Sequence, residues 1–307
     1  MSSNVEAYFS LLGAGQDAET TGAAVREIIK LTRSDRNTGN PPPNCIKLLS
    51  QTLIDFVAHG DLAITILECL TQVLKVISHA PAMFRLEGGI KALCTCLRNQ
   101  SNNAVVCALC LKLLAKYCGQ SSITSGALLK EKKVGEIILT LLTTQLHSYM
   151  VVAPAIDLLI SLTRCDKSSK VVPANSVVLA VKEVLVTYLG RWEVFGGSLK
   201  VLKNLAKHED QRAEMARSSE CLKLLVGVLR ILGRLPERRK LMKRAYRTLW
   251  LVCQGSLVPH APPEASWPLP PEDPFTSLPD DTFDRLVFTE DFPTWERDES
   301  LAAGGDG

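Results

Sequence analysis

Six stretches of this chain end alike: "REIIKLTRSD", "TQVLKVISHA", "LCLKLLAKYC", "LLISLTRCDK", "LKVLKNLAKHE" and "YRTLWLVCQG". Each is an apolar helical run that closes on Leu or a similar residue and then breaks into polar residues. Anchored on Leu31, Val76, Leu114, Leu162, Leu205 and Leu251, the endings recur at intervals of 45, 38, 48, 43 and 46 residues. A unit of that length makes two or three helices and cannot bury its apolar face alone. It must stack on its neighbours, which predicts a helical solenoid. The length variation falls in residues 33–44, 119–126 and 164–176, which are rich in Gly, Pro, Ser and Asn and read as loops.

Composition agrees with an all-α chain. Hydrophobic residues make up 46% but aromatics only 6%, so the core is aliphatic and the alternating aromatic patterns of sheets are missing. No run of eighteen apolar residues occurs, and the N-terminus lacks a basic segment followed by an apolar one. Neither a membrane span nor a secretory leader is expected. Ten cysteines in such a chain imply a reducing compartment, the cytoplasm with nuclear or ciliary access.

Charge divides the chain near Gly255. Residues 257–307 carry twelve acidic residues, two arginines and nine of the sixteen prolines, whereas residues 1–256 carry a net charge of +13. The expected organisation is an N-terminal capping segment (1–19), a helical repeat domain (20–255) and an acidic, Pro-rich, largely disordered tail (256–307). The glycines of "LLGAGQDAE" read as a helix break, with Thr20 or Thr21 capping the helix that follows.

"FRLEGGIKALCTCLRNQSNNAVVCALCLKLLA" resembles an armadillo repeat. Gly88 and Gly89 precede a second helix with Ile90, Leu93 and Leu97 on one face, and a third helix starts after a short polar turn. "VLKNLAKHEDQRAEMARSSECLKLLVGVLR" resembles the join between two such repeats. The likeness covers roughly residues 20–255 and implies a right-handed α-solenoid of five to six armadillo/HEAT-like units. It further implies a non-enzymatic scaffold that binds extended segments of partner proteins along the last helix of each repeat. Nuclear import receptors of this family use Trp and Asn arrays there. Here Asn204 stands at the Asn position, its equivalents read as Lys30, Lys75, Leu113 and Ser161, and Lys200 replaces the Trp. Recognition of nuclear signals therefore does not carry over, and Lys200 and Asn204 remain weak groove candidates.

The pairs Cys94/Cys96 and Cys107/Cys110 invite a zinc reading. Within one helix, however, i and i+2 diverge, and Cys107 and Cys110 share a Val/Ala/Leu face, so all four read as core residues. His59, His79, His147, His208 and His260 lie near expected helix ends, where a cation suits the last turn. No phosphate loop, nucleophile elbow or His-Glu-x-x-His pair occurs. We expect no enzyme, cofactor or metal.

Two segments are candidates for binding. Arg238, Arg239, Lys240, Lys243, Arg244 and Arg247 form a cationic helix opened by Pro236 or Glu237, with Leu241, Ala245, Leu249 and Val252 as its buried stripe. Such a helix suits acidic protein, or, as the rival reading, nucleic-acid phosphate in a nuclear (for example meiotic) complex. In the tail, Phe275, Leu278, Phe283, Leu286, Phe288, Phe292 and Trp295 punctuate the acids as anchors of a linear motif. Segment 275–297 is also expected to fold back on the basic body. Cytoskeletal or ciliary assembly are compatible settings.

Overall fold

In the computed structural model, residues 4–14, 17–33, 41–77, 79–131, 133–165 and 171–257 are described. All regular structure among them is helical. Residues 258–307 lie outside, and with them the tail candidates Phe275, Leu278, Phe283, Leu286, Phe288, Phe292 and Trp295.

The helices fall into six units. Unit 1 pairs α1 (Asn4–Gly13) with α2 (Ala18–Arg33), and unit 2 pairs α3 (Cys45–Asp55) with α4 (Gly60–Val76). Unit 3 is a triplet of α5 (Ala80–Leu86), α6 (Gly89–Asn99) and α7 (Ala104–Gln120). Unit 4 is another, α8 (Ser122–Leu128), α9 (Val134–Thr144) and α10 (Tyr149–Leu162). Unit 5 pairs α11 (Ala174–Thr187) with α12 (Trp192–Leu205). Unit 6 comprises α13 (Glu209–Arg217), α14 (Ser219–Gly233) and α15 (Arg239–Leu257), the last preceded by a 3-10 turn (Pro236–Arg238).

Two ladders run through the stack. The long last helices pack in series, α2 on α4, then α7, α10, α12 and α15. The preceding helices do the same, α1 on α3, then α6, α9, α11 and α14. Each unit buries its apolar stripe against the units next to it, which is why one aliphatic core runs from Val5 to Val252.

Local sequence explains the units. Gly88 takes φ +83° ahead of α6, and a Cβ on Gly89 would collide with the Phe84 ring. Both glycines are needed for α5 to turn tightly into α6. In unit 4 the same left-handed position is held by Lys133, at φ 61°. Asn103 caps α7 by accepting from the Val105 and Val106 amides. Two caps come from the next unit instead. Glu87 accepts from the Lys47 amide at the start of α3, and Glu214 accepts from the Ala174 and Asn175 amides at the start of α11.

The structure corrects several sequence expectations. Asp17, not Thr20 or Thr21, caps α2, its carboxylate accepting from the Thr20 amide and hydroxyl. Segment 119–126 is no loop. α7 continues to Gln120, Ser121 caps α8, and the Ser and Gly residues there form a first helix of unit 4. His59, His79 and His208 immediately precede helices α4, α5 and α13 rather than closing a last turn.

The repeat is also more regular than its anchors suggested. Counting the 3-10 turn as the start of α15, the residues preceding the last helices are Asp17, His59, Asn103, Ser148, Arg191 and Leu235, spaced 42, 44, 45, 43 and 44 residues apart. On that register Val73 and Tyr117 stand opposite Leu162 and Leu205. Val76 is 54% exposed, whereas Val73 is fully buried. The sequence motif had slipped by three residues, one helical turn, in units 2 and 3.

Cys94, Cys96, Cys107 and Cys110 are all fully buried. The i, i+2 pair does not diverge into core and solvent, because α6 is covered both by its ladder neighbours and by α7. The Cys96 and Cys110 thiols share a hydrogen bond, and the Cys107 thiol donates to the Gln100 carbonyl at 3.3 Å. Burial raises Cys94 to about 12 and Cys107 to about 11. As neutral thiols they pack like small apolar side chains.

Candidate functional site

The corrected register lines up side chains on the outer face of the last-helix ladder. The ninth residue after each cap position is Arg26, Glu68, Lys112, Asp157, Lys200 and Arg244. The first four are exposed and the last two half-buried. With neighbouring helix axes about 10 Å apart, these positions form a row of alternating sign, plus, minus, plus, minus, plus. It ends on a second plus. Every cation but Arg244 thus follows or precedes an acid along the ladder.

The end of that row is where charge accumulates. Burial lowers the Lys200 pKa, and Arg164 and Arg244 lower it further, with Asp157 as the opposing influence. Asp157 is itself raised, first by burial and then by Glu193, while Lys200 holds it down. Arg164, from the turn after α10, and Arg244, from α15, are therefore both near enough to Lys200 on α12 to disfavour its charge, with the Asp157 carboxylate beside it. Arg244 is fixed there by donating from Nη1 to the Gly196 carbonyl at 2.7 Å, one turn before Lys200 on α12.

One turn further along α12, Asn204 is buried and donates to the Ile160 carbonyl (3.2 Å) and the Thr163 hydroxyl (3.3 Å) of the preceding unit. It is neither a surface residue nor one member of an array. At the same register stand Lys30, Gln72, Lys116, Ser161 and Thr248, so Lys75 and Leu113 are not its equivalents. Beside Asn204 a cleft of about 260 Å³ opens, lined by Thr163, Arg164, Asn204, Lys207 and His208. His208 Nε2 lies 2.8 Å from the Thr163 carbonyl oxygen. Asn204 and His208 thus tie the C-terminal ends of α10 and α12 together and leave Arg164 and Lys207 to line the mouth.

The cationic helix is organised differently from its sequence reading. Arg238 belongs to the 3-10 turn and stacks over the Trp192 ring, 4.5 Å from its centroid. With Arg244 bonded to Gly196, two of the six cations are turned into α12. Arg239, Lys240 and Lys243 are exposed, and Arg247 is half-buried. The buried stripe is Ala245, Thr248 and Val252, each fully covered, whereas Leu241 and Leu249 are half-buried. Thr248 sits in the core by donating its hydroxyl to the Arg244 carbonyl, a backbone bond no hydrophobic count would reveal.

Sequence reading singled out Lys200, Asn204 and Arg244 but not Arg164, Lys207 or Asp157. The missing signal was the register: position nine or sixteen after each cap means nothing until the caps are placed. Among the described residues no group of three or more His, Cys, Asp or Glu side chains is arranged to hold a metal ion.

No family model matches the sequence, and no curated protein matches it. Solved structures do. A designed armadillo repeat protein in complex with the peptide (KR)4 superposes with a TM-score of 0.58 at 14% identity, over 81% of this chain and 100% of that one. A crystallised engineered protein gives 0.56 at 18% identity, over 82% and 97% of the two chains. A second designed armadillo repeat protein gives 0.50 at 14% identity, over 80% and 98%. The fold is therefore an armadillo/HEAT-like α-solenoid.

Proposed function

We propose that this protein is a non-enzymatic interaction scaffold that takes an extended, acidic segment of a partner protein on its last-helix ladder, at units 4 to 6. The observation that carries the reading is the convergence of Arg164 and Arg244 on Lys200, with Asp157 as the counter-charge to Lys200, beside the cleft lined by Arg164 and Lys207. Holding like charges together costs stability, and an anionic ligand recovers that cost. Arg164 and Lys207 extend the same charge to the cleft beside Asn204. An extended segment advances about 3.3 Å per residue, so every third side chain meets the next helix of the ladder. The designed neighbour with its bound (KR)4 peptide supports peptide binding by this architecture. The charge here calls for a peptide of opposite sign.

Buried, reduced thiols support a cytoplasmic or nucleus-accessible setting, and cytoskeletal or ciliary assembly suits an adaptor of this kind. The nucleic-acid reading of helix 237–247 is the weaker one, because Arg238 is stacked on the Trp192 ring rather than presented outward.

The experiment is binding of fluorescein-labelled decaglutamate to the full chain at low salt, followed by anisotropy. Lys200→Glu with Lys207→Glu is expected to weaken binding at least about tenfold, the cost of reversing two contacting charges. Arg26→Glu, on the far end of the ladder, is expected to leave it nearly unchanged. Equal affinities for all three proteins overturn the proposal. A steep salt dependence of DNA or RNA binding, abolished by Arg238→Glu with Arg239→Glu, would instead favour the nucleic-acid reading.

A further inference from the structure

Among the described residues unit 6 is the last of the ladder, and α15 packs along it on α12. Its cationic residues border the groove at that side, and the chain leaves α15 at Leu257 to continue for fifty residues that carry twelve acids. Those two facts bear on what occupies the groove when no partner is present.

We propose that the chain's own segment 280–291, "DDTFDRLVFTED", is the resident occupant of the cationic groove formed by Arg164, Lys200, Lys207 and Arg244, and that partners gain access by displacing it. The inference deepens the reading of that groove as a site for acidic peptides and rests on it.

Charge complementarity is the first argument. The segment carries Asp280, Asp281, Asp284, Glu290 and Asp291 against one arginine, Arg285. The groove offers four cations against Asp157. The segment thus carries a net charge of −4, whereas the body is at +13.

Reach is the second. From Arg244 to Leu257 along α15 is thirteen residues, roughly 20 Å at helical rise. Twenty-two residues separate Leu257 from Asp280. A coil of that length spans about 26 Å root-mean-square and at most about 75 Å. The connection therefore matches the distance it has to cover, the condition under which effective concentration is highest, in the millimolar range. At that concentration a segment with an intrinsic Kd of about 0.1 mM would occupy the groove roughly nine-tenths of the time. A competing peptide would then bind about tenfold more weakly than to an open groove.

The third argument is composition. Phe283, Leu286 and Phe288 are interspersed among the acids. Trp192, half-buried at the start of α12 beside Arg238, offers an apolar surface of the body to such side chains.

The test keeps the chain whole. Asp280→Asn, Asp281→Asn, Asp284→Asn, Glu290→Gln and Asp291→Asn are made together, and decaglutamate affinity at low salt is compared with the unaltered chain. About tenfold tighter binding is expected. In parallel, carbodiimide coupling of carboxylates to amines in dilute unaltered protein is expected to join Asp280, Asp281 or Asp284 to Lys200 or Lys207 within one molecule. Equal decaglutamate affinity for both proteins, with measurable binding to each, overturns the tail proposal and leaves the groove reading intact. Failure of decaglutamate to bind either protein overturns the groove reading, and absence of those intramolecular cross-links then overturns the tail proposal too.

Discussion

Single residues set the sharpest tests of this fold. Gly88 and Lys133 occupy the same left-handed position ahead of α6 and α9, one with the residue that tolerates it and one without. Gly88→Ala should destabilise by about 1–2 kcal/mol, the cost of a Cβ in that conformation, while Lys133→Gly should stabilise by about 0.5–1 kcal/mol. Urea midpoints of the two variants check both signs. The thiols give a pH signature. Cys45 and Cys107 are raised by burial from an ordinary 9.0 to about 11, and Cys94, Cys118 and Cys221 to about 12. A thiol protonated in the fold but ionising in the unfolded chain stabilises fully below pH 9. Its contribution is lost as pH rises through the folded value. Each therefore removes up to about 1.4 kcal/mol per pH unit between pH 9 and 11. Stability measured under reducing conditions should fall steeply across that window and be flat in this respect below it. The sequence showed Cys94, Cys96, Cys107 and Cys110 as core residues from their apolar company. It did not show what covers Cys94 and Cys96 together, because that depends on α6 being packed on several sides.

At the scale of elements, the units are stitched by caps that cross between them. Glu214 of α13 satisfies the first amides of α11, and Gln211 donates to the Val172 carbonyl in the segment leading to it. Glu214→Ala should cost about 1 kcal/mol, the value of an N-terminal cap with an added charge–dipole contribution, and Glu214→Gln about half of that. Thermal unfolding of the two variants checks the order. Helix content and the pairing of helices into units were legible in the sequence from the period of the apolar residues. The caps were not, since their donor and acceptor are some forty residues apart. The slip at Val76 and Leu114 has a related cause. Leu-rich helices repeat themselves every three or four residues, so a motif can shift by one turn and still look apolar. Burial distinguishes Val73 from Val76, whereas Leu114 and Tyr117 are both buried and only the position of the Asn103 cap sets the register there.

Across the whole molecule, stability is the sum of unit contributions and of interfaces between adjacent units, because no helix of one ladder reaches beyond its neighbours. The terminal units have an interface on one side only. Amide hydrogen exchange should therefore be fastest in α1 and in α15, slower inward, and slowest in α7 and α10, whose mutual contact is the most extensive in the stack. Uniform protection from end to end would contradict an additive array. The same open end at α15 explains why charge gathers there: the last helix can hold Arg239, Lys240 and Lys243 toward solvent without burying them.

By itself the sequence determined that the chain is helical, repetitive and divided into a basic body and an acidic end. Periodicity and composition act locally, residue by residue, and survive without knowledge of what packs on what. The tertiary structure alone decided which residues form the groove. Arg164, Lys200 and Arg244 come from the turn after α10, from α12 and from α15 and are eighty residues apart from first to last; only the ladder's register, fixed by packing and caps, brings them together.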